Sequence, residues 1–112
     1  MTRSNLHITL SNGQSIICVA DSSSAPEQGY FVENILLPLL SLNNSQQELE
    51  FLSEYCAMNE RRINATYRYI IDVKTKKVEF FKEHYNYTKN TFRKGKDLTK
   101  RYNDYRELLG NN

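Results

Sequence analysis

The sequence predicts an α+β domain: two β-hairpins joined in one antiparallel sheet and packed against helices, in the order ββααββα. Three observations carry that expectation. Residues 66–85 read TYRYIIDVKTKKVEFFKEHY, two aromatic and β-branched runs split by a lysine-rich break, as a hairpin requires. Residues 6–19 place Asn12-Gly13 between two strand-like runs, the strongest short-range hairpin signal. Two Ser-x-x-Glu segments, Ser24 to Glu27 and Ser45 to Glu48, each precede an apolar run, as capping boxes do at helix starts. Residues 1–112 read as a single domain with one core.

In the first hairpin Leu6, Ile8 and Leu10 alternate with His7 and Thr9, so one face is apolar and the other polar. Asn12-Gly13 is expected to form a type I′ turn with positive φ at both residues. His7 reads as an outward strand position, since no second His or Cys lies nearby to share a proton or a metal. The serine-rich segment 20–25 carries neither GxSxG nor SxxK and so announces no nucleophile.

A helix is expected over residues 26–42. Pro26 suits its first turn, while Pro38 removes a backbone hydrogen bond and kinks or splits it. The run ILLPLLSL at 35–42 is apolar nearly all round, which places it in the core or at an interface. Ile35, Leu36, Leu39 and Leu40 are its interface candidates. A second helix is expected from Ser45 to about Asn59. Leu49, Leu52, Tyr55 and Cys56 form its inner stripe, and Glu48, Glu50, Glu54 and Glu60 an acidic outer face. Arg61 and Arg62 near its end suit the helix dipole.

For the central hairpin, apolar alternation pairs Val73 with Val78, Ile71 with Phe80 and Tyr69 with Lys82. Arg68 then faces Glu83, and Asp72 faces Glu79 as a like-charge conflict. Both faces carry large apolar groups, so the hairpin is expected at the centre of the sheet or covered on both sides. Residues 86–96 read as a polar basic loop. The last helix runs from Asp97 to Leu109, with Leu98, Tyr102, Tyr105 and Leu109 as its core stripe. Asp97–Arg101 and Lys100–Asp104 are its i,i+4 pairs, and Gly110 its cap.

Charge is unevenly spread. Residues 1–60 hold one basic and seven acidic side chains, and residues 61–112 hold 14 basic and six acidic ones. Such asymmetry points to a polyanion partner or to pairing between the halves. Lys89, Arg93, Lys94, Lys96, Lys100 and Arg101 are the polyanion-binding candidates, interleaved with Tyr87, Phe92 and Tyr102. Cys18 and Cys56 are not spaced as CxxC and are expected as free, separate thiols in a reducing compartment. The first residues lack the apolar core of a signal peptide, and no run is long enough to span a bilayer. The expected location is cytoplasmic.

No cluster brings a base, a nucleophile or metal ligands together in sequence, so no catalytic role, metal or cofactor is expected. The sequence alone favours a small binding module acting by contact with a partner protein, as an adaptor, inhibitor or dimerising subunit. Its motivating features are the 35–42 run and the acidic face of the second helix. Nucleic-acid binding through residues 89–101 is the alternative.

Overall fold

The structure, a computed structural model, describes residues 2–110. Its strands are β1 (Ser4–Thr9), β2 (Ser15–Ala20), β3 (Ala57–Met58), β4 (Tyr67–Asp72), β5 (Lys77–Asn86) and β6 (Thr91–Asp97). They form one sheet in the order β3-β2-β1-β4-β5-β6. A 3-10 turn (Pro26–Gln28), a π-helical turn (Val32–Leu36) and the helices α1 (Leu37–Leu40), α2 (Ser45–Tyr55) and α3 (Thr99–Gly110) complete the fold. The α+β class holds, with a mixed rather than purely antiparallel sheet. The two expected hairpins meet through β1 and β4, which run parallel, Leu6 beside Tyr69 and Ile8 beside Ile71. Parallel neighbours need a long connection, and residues 10–66, β2 among them, supply it.

All the helices cover one face of the sheet. Leu6, Ile8, Cys18, Tyr69, Ile71, Val78 and Phe80 point into this layer and meet Phe31, Val32, Leu36, Leu39, Leu52 and Tyr102. Tyr69 is its centre. The ring lies 4.6 Å from Phe31 and 4.7 Å from Phe80 between centroids, and its hydroxyl donates to the Ser24 carbonyl at 2.6 Å. Tilted pairs of this kind add about 0.5–1.5 kcal/mol each beyond burial. Burial also holds the Tyr69 phenol above its ordinary pKa.

Several expectations shift locally. The central hairpin pairs Ile71 with Val78, Tyr69 with Phe80 and Asp72 with Lys77. That is a slip of two residues from the expected register. Every side chain keeps its face, because strand alternation has period two. The loop decides between registers. Asp72 Oδ1 accepts the Thr75 N–H at 3.2 Å, and Lys76 adopts φ +61°, closing a four-residue loop over 73–76. Asp72 thereby faces a lysine and the Asp72–Glu79 conflict vanishes. Residues 86–96 are not a loop. They turn at 87–90 and return as β6, which pairs His84 with Arg93 and Tyr85 with Phe92. The Asn12-Gly13 turn has positive φ at Gly13 alone. It is a three-residue loop closed by the Leu10 N–H to the Gln14 carbonyl at 2.8 Å.

The helix expected over 26–42 is divided. Gly29, at φ +84°, ends the 3-10 turn. Ahead of Pro38 the chain widens, and the Leu37 N–H bonds five residues back to Val32. A π-turn accommodates a proline that cannot donate and crowds the preceding turn. Neither expected capping box forms as read. Asn44, not Ser45, caps α2, its Oδ1 accepting the Gln47 N–H at 3.0 Å. The Gln28 side chain accepts from the Ala25 N–H at 2.9 Å, while Ser24 is buried against Ser4. Glu48 leaves the expected acidic face: it is fully buried and accepts from the Ser11 backbone and hydroxyl. In α3 the Lys100–Asp104 pair forms at 2.8 Å. Asp97 instead accepts the Thr99 N–H at 2.8 Å.

Cys18 and Cys56 are both free thiols, but they are not apart. Cys56 follows α2 and stands close enough to Cys18 for the two thiols to influence each other. That neighbour, followed by burial, raises the Cys18 thiol. No described helix is long and apolar enough to cross a membrane.

Two outcomes follow from this packing. Ile71→Ala removes a side chain that is 1 % exposed and should cost about 2–5 kcal/mol. Urea unfolding measures this, and an unchanged midpoint would remove Ile71 from the core. In the folded protein a thiol reagent should react first at the half-buried Cys56 and reach Cys18 only on unfolding. Both should titrate without reductant, and fewer than two reactive thiols in denaturant would overturn the free-thiol state.

Candidate nucleic-acid interface

The second face of the sheet carries no helix. In register across it stand Ile17, His7, Ile70 and Glu79, then Val19, Asn5, Arg68 and Phe81. Lys94 sits beside Glu83, and Phe92 beside Tyr85. Alternation makes this arrangement inevitable once the odd positions of β1 face away from the core.

Part of this face is covered by a strap, residues 59–66, which links β3 to β4. Asn5 pins it. The amide donates to the Arg62 carbonyl at 3.1 Å and to Glu83 Oε2 at 2.8 Å, and it accepts the Arg62 N–H at 2.8 Å. Arg68 completes the cluster with a fork onto Glu83, the shortest contact being 2.8 Å. The Arg68 and Glu83 side chains are 11 % and 1 % exposed, so this pair is an internal fixture rather than a free charge. The expected Arg68–Glu83 contact therefore exists, but as a diagonal one, since Phe81 lies directly opposite Arg68.

Beyond the strap the face is basic and aromatic. The Arg61 guanidinium lies 4.7 Å above the Phe92 ring, and the Lys94 ammonium 4.7 Å above Phe81. Tyr85 packs edge-on against Phe92 at 4.8 Å and against Tyr87 at 5.0 Å. Tyr87 is 69 % exposed. Arg61, Lys89, Arg93, Lys94 and Lys96 are exposed, and among the described residues none stands in an ion pair.

The structure thus divides the six cations singled out in sequence. Lys89, Arg93, Lys94 and Lys96 all belong to the β5–β6 hairpin; Lys94 shares the uncovered face with Phe92, whereas Arg93, paired with His84, points to the other side. Arg101 leaves the set. It is bound by Glu27 at 2.6 and 2.8 Å and donates to the Tyr67 hydroxyl at 2.9 Å. The Glu27 hydrogen bond raises the Arg101 pKa, and the same bond lowers that of Glu27. Lys100 is tied to Asp104. Arg61, which sequence reading gave to a helix dipole, joins the patch instead, because α2 stops at Tyr55 and the strap carries Arg61 over β6. Its signal was the basic residue one strap-length before an aromatic strand, visible only once β6 is known. The interface candidates Ile35, Leu36, Leu39 and Leu40 are 2, 0, 1 and 8 % exposed; they fill the core and present no surface.

Below Arg61 the face opens into a groove of about 750 Å³ lined by His7, Thr9, Ser15, Ile17, Asn59, Glu60, Arg61 and Ile70. His7 is half-buried in its floor, and its Nε2 is buried without a hydrogen-bond partner. An orphaned polar atom of this kind costs about 1–3 kcal/mol. Burial lowers the His7 pKa below 6.5, with Arg68 of β4 and Arg61 of the strap adding to the effect and Glu83 of β5 opposing it. A larger groove of about 1030 Å³ lies between α1 and α3. It mixes lysine, arginine and carboxylate side chains, and its Lys76 ammonium is already held by the Leu40 carbonyl and Asn43. No group of His, Cys, Asp and Glu among the described residues is arranged to hold a metal ion.

A depressed histidine pKa makes stability pH-dependent with a definite sign. The unfolded state takes up the proton first, so the contribution is complete above pH 6.5 and declines as pH falls below it toward the folded value. Urea midpoints should therefore fall between pH 7.5 and 5.5, and His7→Gln should reduce that decline. A His7 resonance titrating above 6.5 would contradict the assignment. No family model, curated protein or solved structure matches the chain, so the functional reading rests on this geometry.

Proposed function

We propose that the protein binds single-stranded nucleic acid along the uncovered face of its sheet. One observation carries the reading: cations stacked on aromatic rings, Arg61 on Phe92 and Lys94 on Phe81, stand on a face that no helix covers. Phosphates are attracted to unpaired lysine and arginine, which release condensed counterions on binding. Unpaired bases stack on aromatic rings and on guanidinium planes. The outer plane of Arg61 and the exposed Tyr87 supply such surfaces. A duplex offers its bases only at groove edges, whereas exposed rings and a guanidinium plane suit unstacked bases.

The reading by which a partner protein docks on Ile35, Leu36, Leu39 and Leu40 has no surface to act through, since these residues lie in the core. The charge asymmetry is only partly internal. Asp21 takes up Arg3 and Arg62, and Glu27 takes up Arg101. Glu50 and Glu54 do not reach the hairpin cations. Binding here needs no metal or cofactor and no catalytic step.

Fluorescence anisotropy with a labelled single-stranded oligonucleotide tests this. Log affinity should fall linearly with log salt, with a slope of about 0.7 per phosphate neutralised. Arg61→Ala and Lys94→Ala should each weaken binding and flatten the slope at unchanged melting temperature. Arg101→Ala should do the reverse, lowering the melting temperature and leaving the slope intact. Absence of binding at low salt would defeat the proposal.

A further inference from the structure

The groove beside Arg61 is shaped and lined for something other than a phosphate. Its floor is apolar at Ile17 and Ile70, which flank His7 in one row of the sheet. Its rim is made of short polar groups, Thr9, Ser15 and Asn59. A volume of about 750 Å³ lies within the range of small-ligand pockets, which combine an apolar bed with a few fixed polar atoms. His7, half-buried between the two isoleucines, adds the flat of an imidazole ring. Arg61 forms both the groove's wall and the cation above Phe92, so the groove is continuous with the basic, aromatic patch.

We propose that this groove seats one unpaired nucleobase, stacked over Ile17, His7 and Ile70 with its polar edge toward Ser15 and Asn59. The inference rests on the single-strand reading and assigns a base position within it. The hairpin cations hold the backbone, and the groove takes the base that leaves the strand at Arg61. A planar heterocycle suits this lining: it offers a face to the imidazole and the two aliphatic side chains, and edge donors and acceptors to Asn59 and Ser15. An isolated anion would meet the Glu60 carboxylate at the rim and an apolar floor that returns nothing for its lost hydration. The strap sets the depth of this seat. Asn5 fixes its Arg62 end, and the Asn59 N–H fixes the other by donating to the Ile17 carbonyl at 2.8 Å.

Amide chemical shifts of the full-length chain, recorded during separate titrations with adenosine, uridine and inorganic phosphate, test the inference. At least one nucleoside should shift the amides of His7, Ile17, Ile70 and Arg61, while phosphate leaves those of Ile17 and Ile70 unmoved. His7→Ala should weaken the nucleoside response about five- to tenfold, the equivalent of one stacked ring. Because the wild-type shifts locate the site by themselves, the test survives a variant that fails to fold. Nucleoside shifts confined to Tyr87 and Phe92 would overturn the groove while leaving single-strand binding in place. The same shifts from phosphate alone would make it an anion seat and overturn it as well. Silence toward both nucleosides, with an oligonucleotide still bound, would sink this inference alone; silence toward the oligonucleotide too would sink both readings.

Discussion

The uncovered face of the sheet depends on one buried amide. Asn5 is fully enclosed and touches three things that otherwise have no reason to stay together: the strap, β5 and, through Glu83, the Arg68 guanidinium of β4. Both amide hydrogens are used and the carbonyl oxygen accepts. Only a carboxamide offers that combination. An aspartate here would lose both donors and bring a second carboxylate against Glu83, and a leucine would strand Glu83 and the Arg62 backbone. A buried polar cluster that is fully satisfied fixes one arrangement, whereas a half-satisfied one is costly. The strap therefore has a single seat on the sheet.

That seat determines what the face can do. Where the strap lies, Val19 and Asn5 are sealed. Where it ends, His7, Ile17 and Ile70 remain half-open. Arg61 is carried across to Phe92 because Arg62, its neighbour, is anchored by Asn5 through the backbone and by Asp21 and Glu60 through the side chain. Adjacent arginines thus take opposite duties. One is held by carboxylates, and the other keeps its charge unpaired above a ring.

The sequence conveyed the strands of the two expected hairpins, the faces of every residue in them and the stripe of the last helix, because these depend on periods of two and 3.6. What it missed depends on long-range contact. The central register slipped by two residues, a shift that leaves the apolar pattern unchanged and is settled by the Asp72 turn. Strand β6 reads as a loop because Thr91, Arg93, Lys94 and Lys96 are those of an exposed edge, where charge discourages further pairing. The parallel joint of β1 to β4 cannot be read from either strand alone. For the site, the basic hairpin was legible as composition. The removal of Arg101 by Glu27, 74 residues away, was not, nor was the recruitment of Arg61.

The edge itself bears on which partner the face suits. Strand β6 ends the sheet with an unpaired backbone edge, which invites addition of another strand. Two features oppose it. The pairing of β5 with β6 is irregular between Phe81 and Glu83, and irregularities of this kind twist an edge away from a flat template. Gly95 meets that irregularity so closely that a Cβ would stand 3.1 Å from the Lys82 backbone and side chain, so the chain there is fitted inward toward β5. Arg93, Lys94 and Lys96 then line the edge with like charge, which repels a second copy of the same strand. Of these cations Lys94 also stands on the uncovered face, over the Phe81 ring. An edge so closed to strands favours, on the proposed reading, a ligand that lies across the sheet over one that extends it.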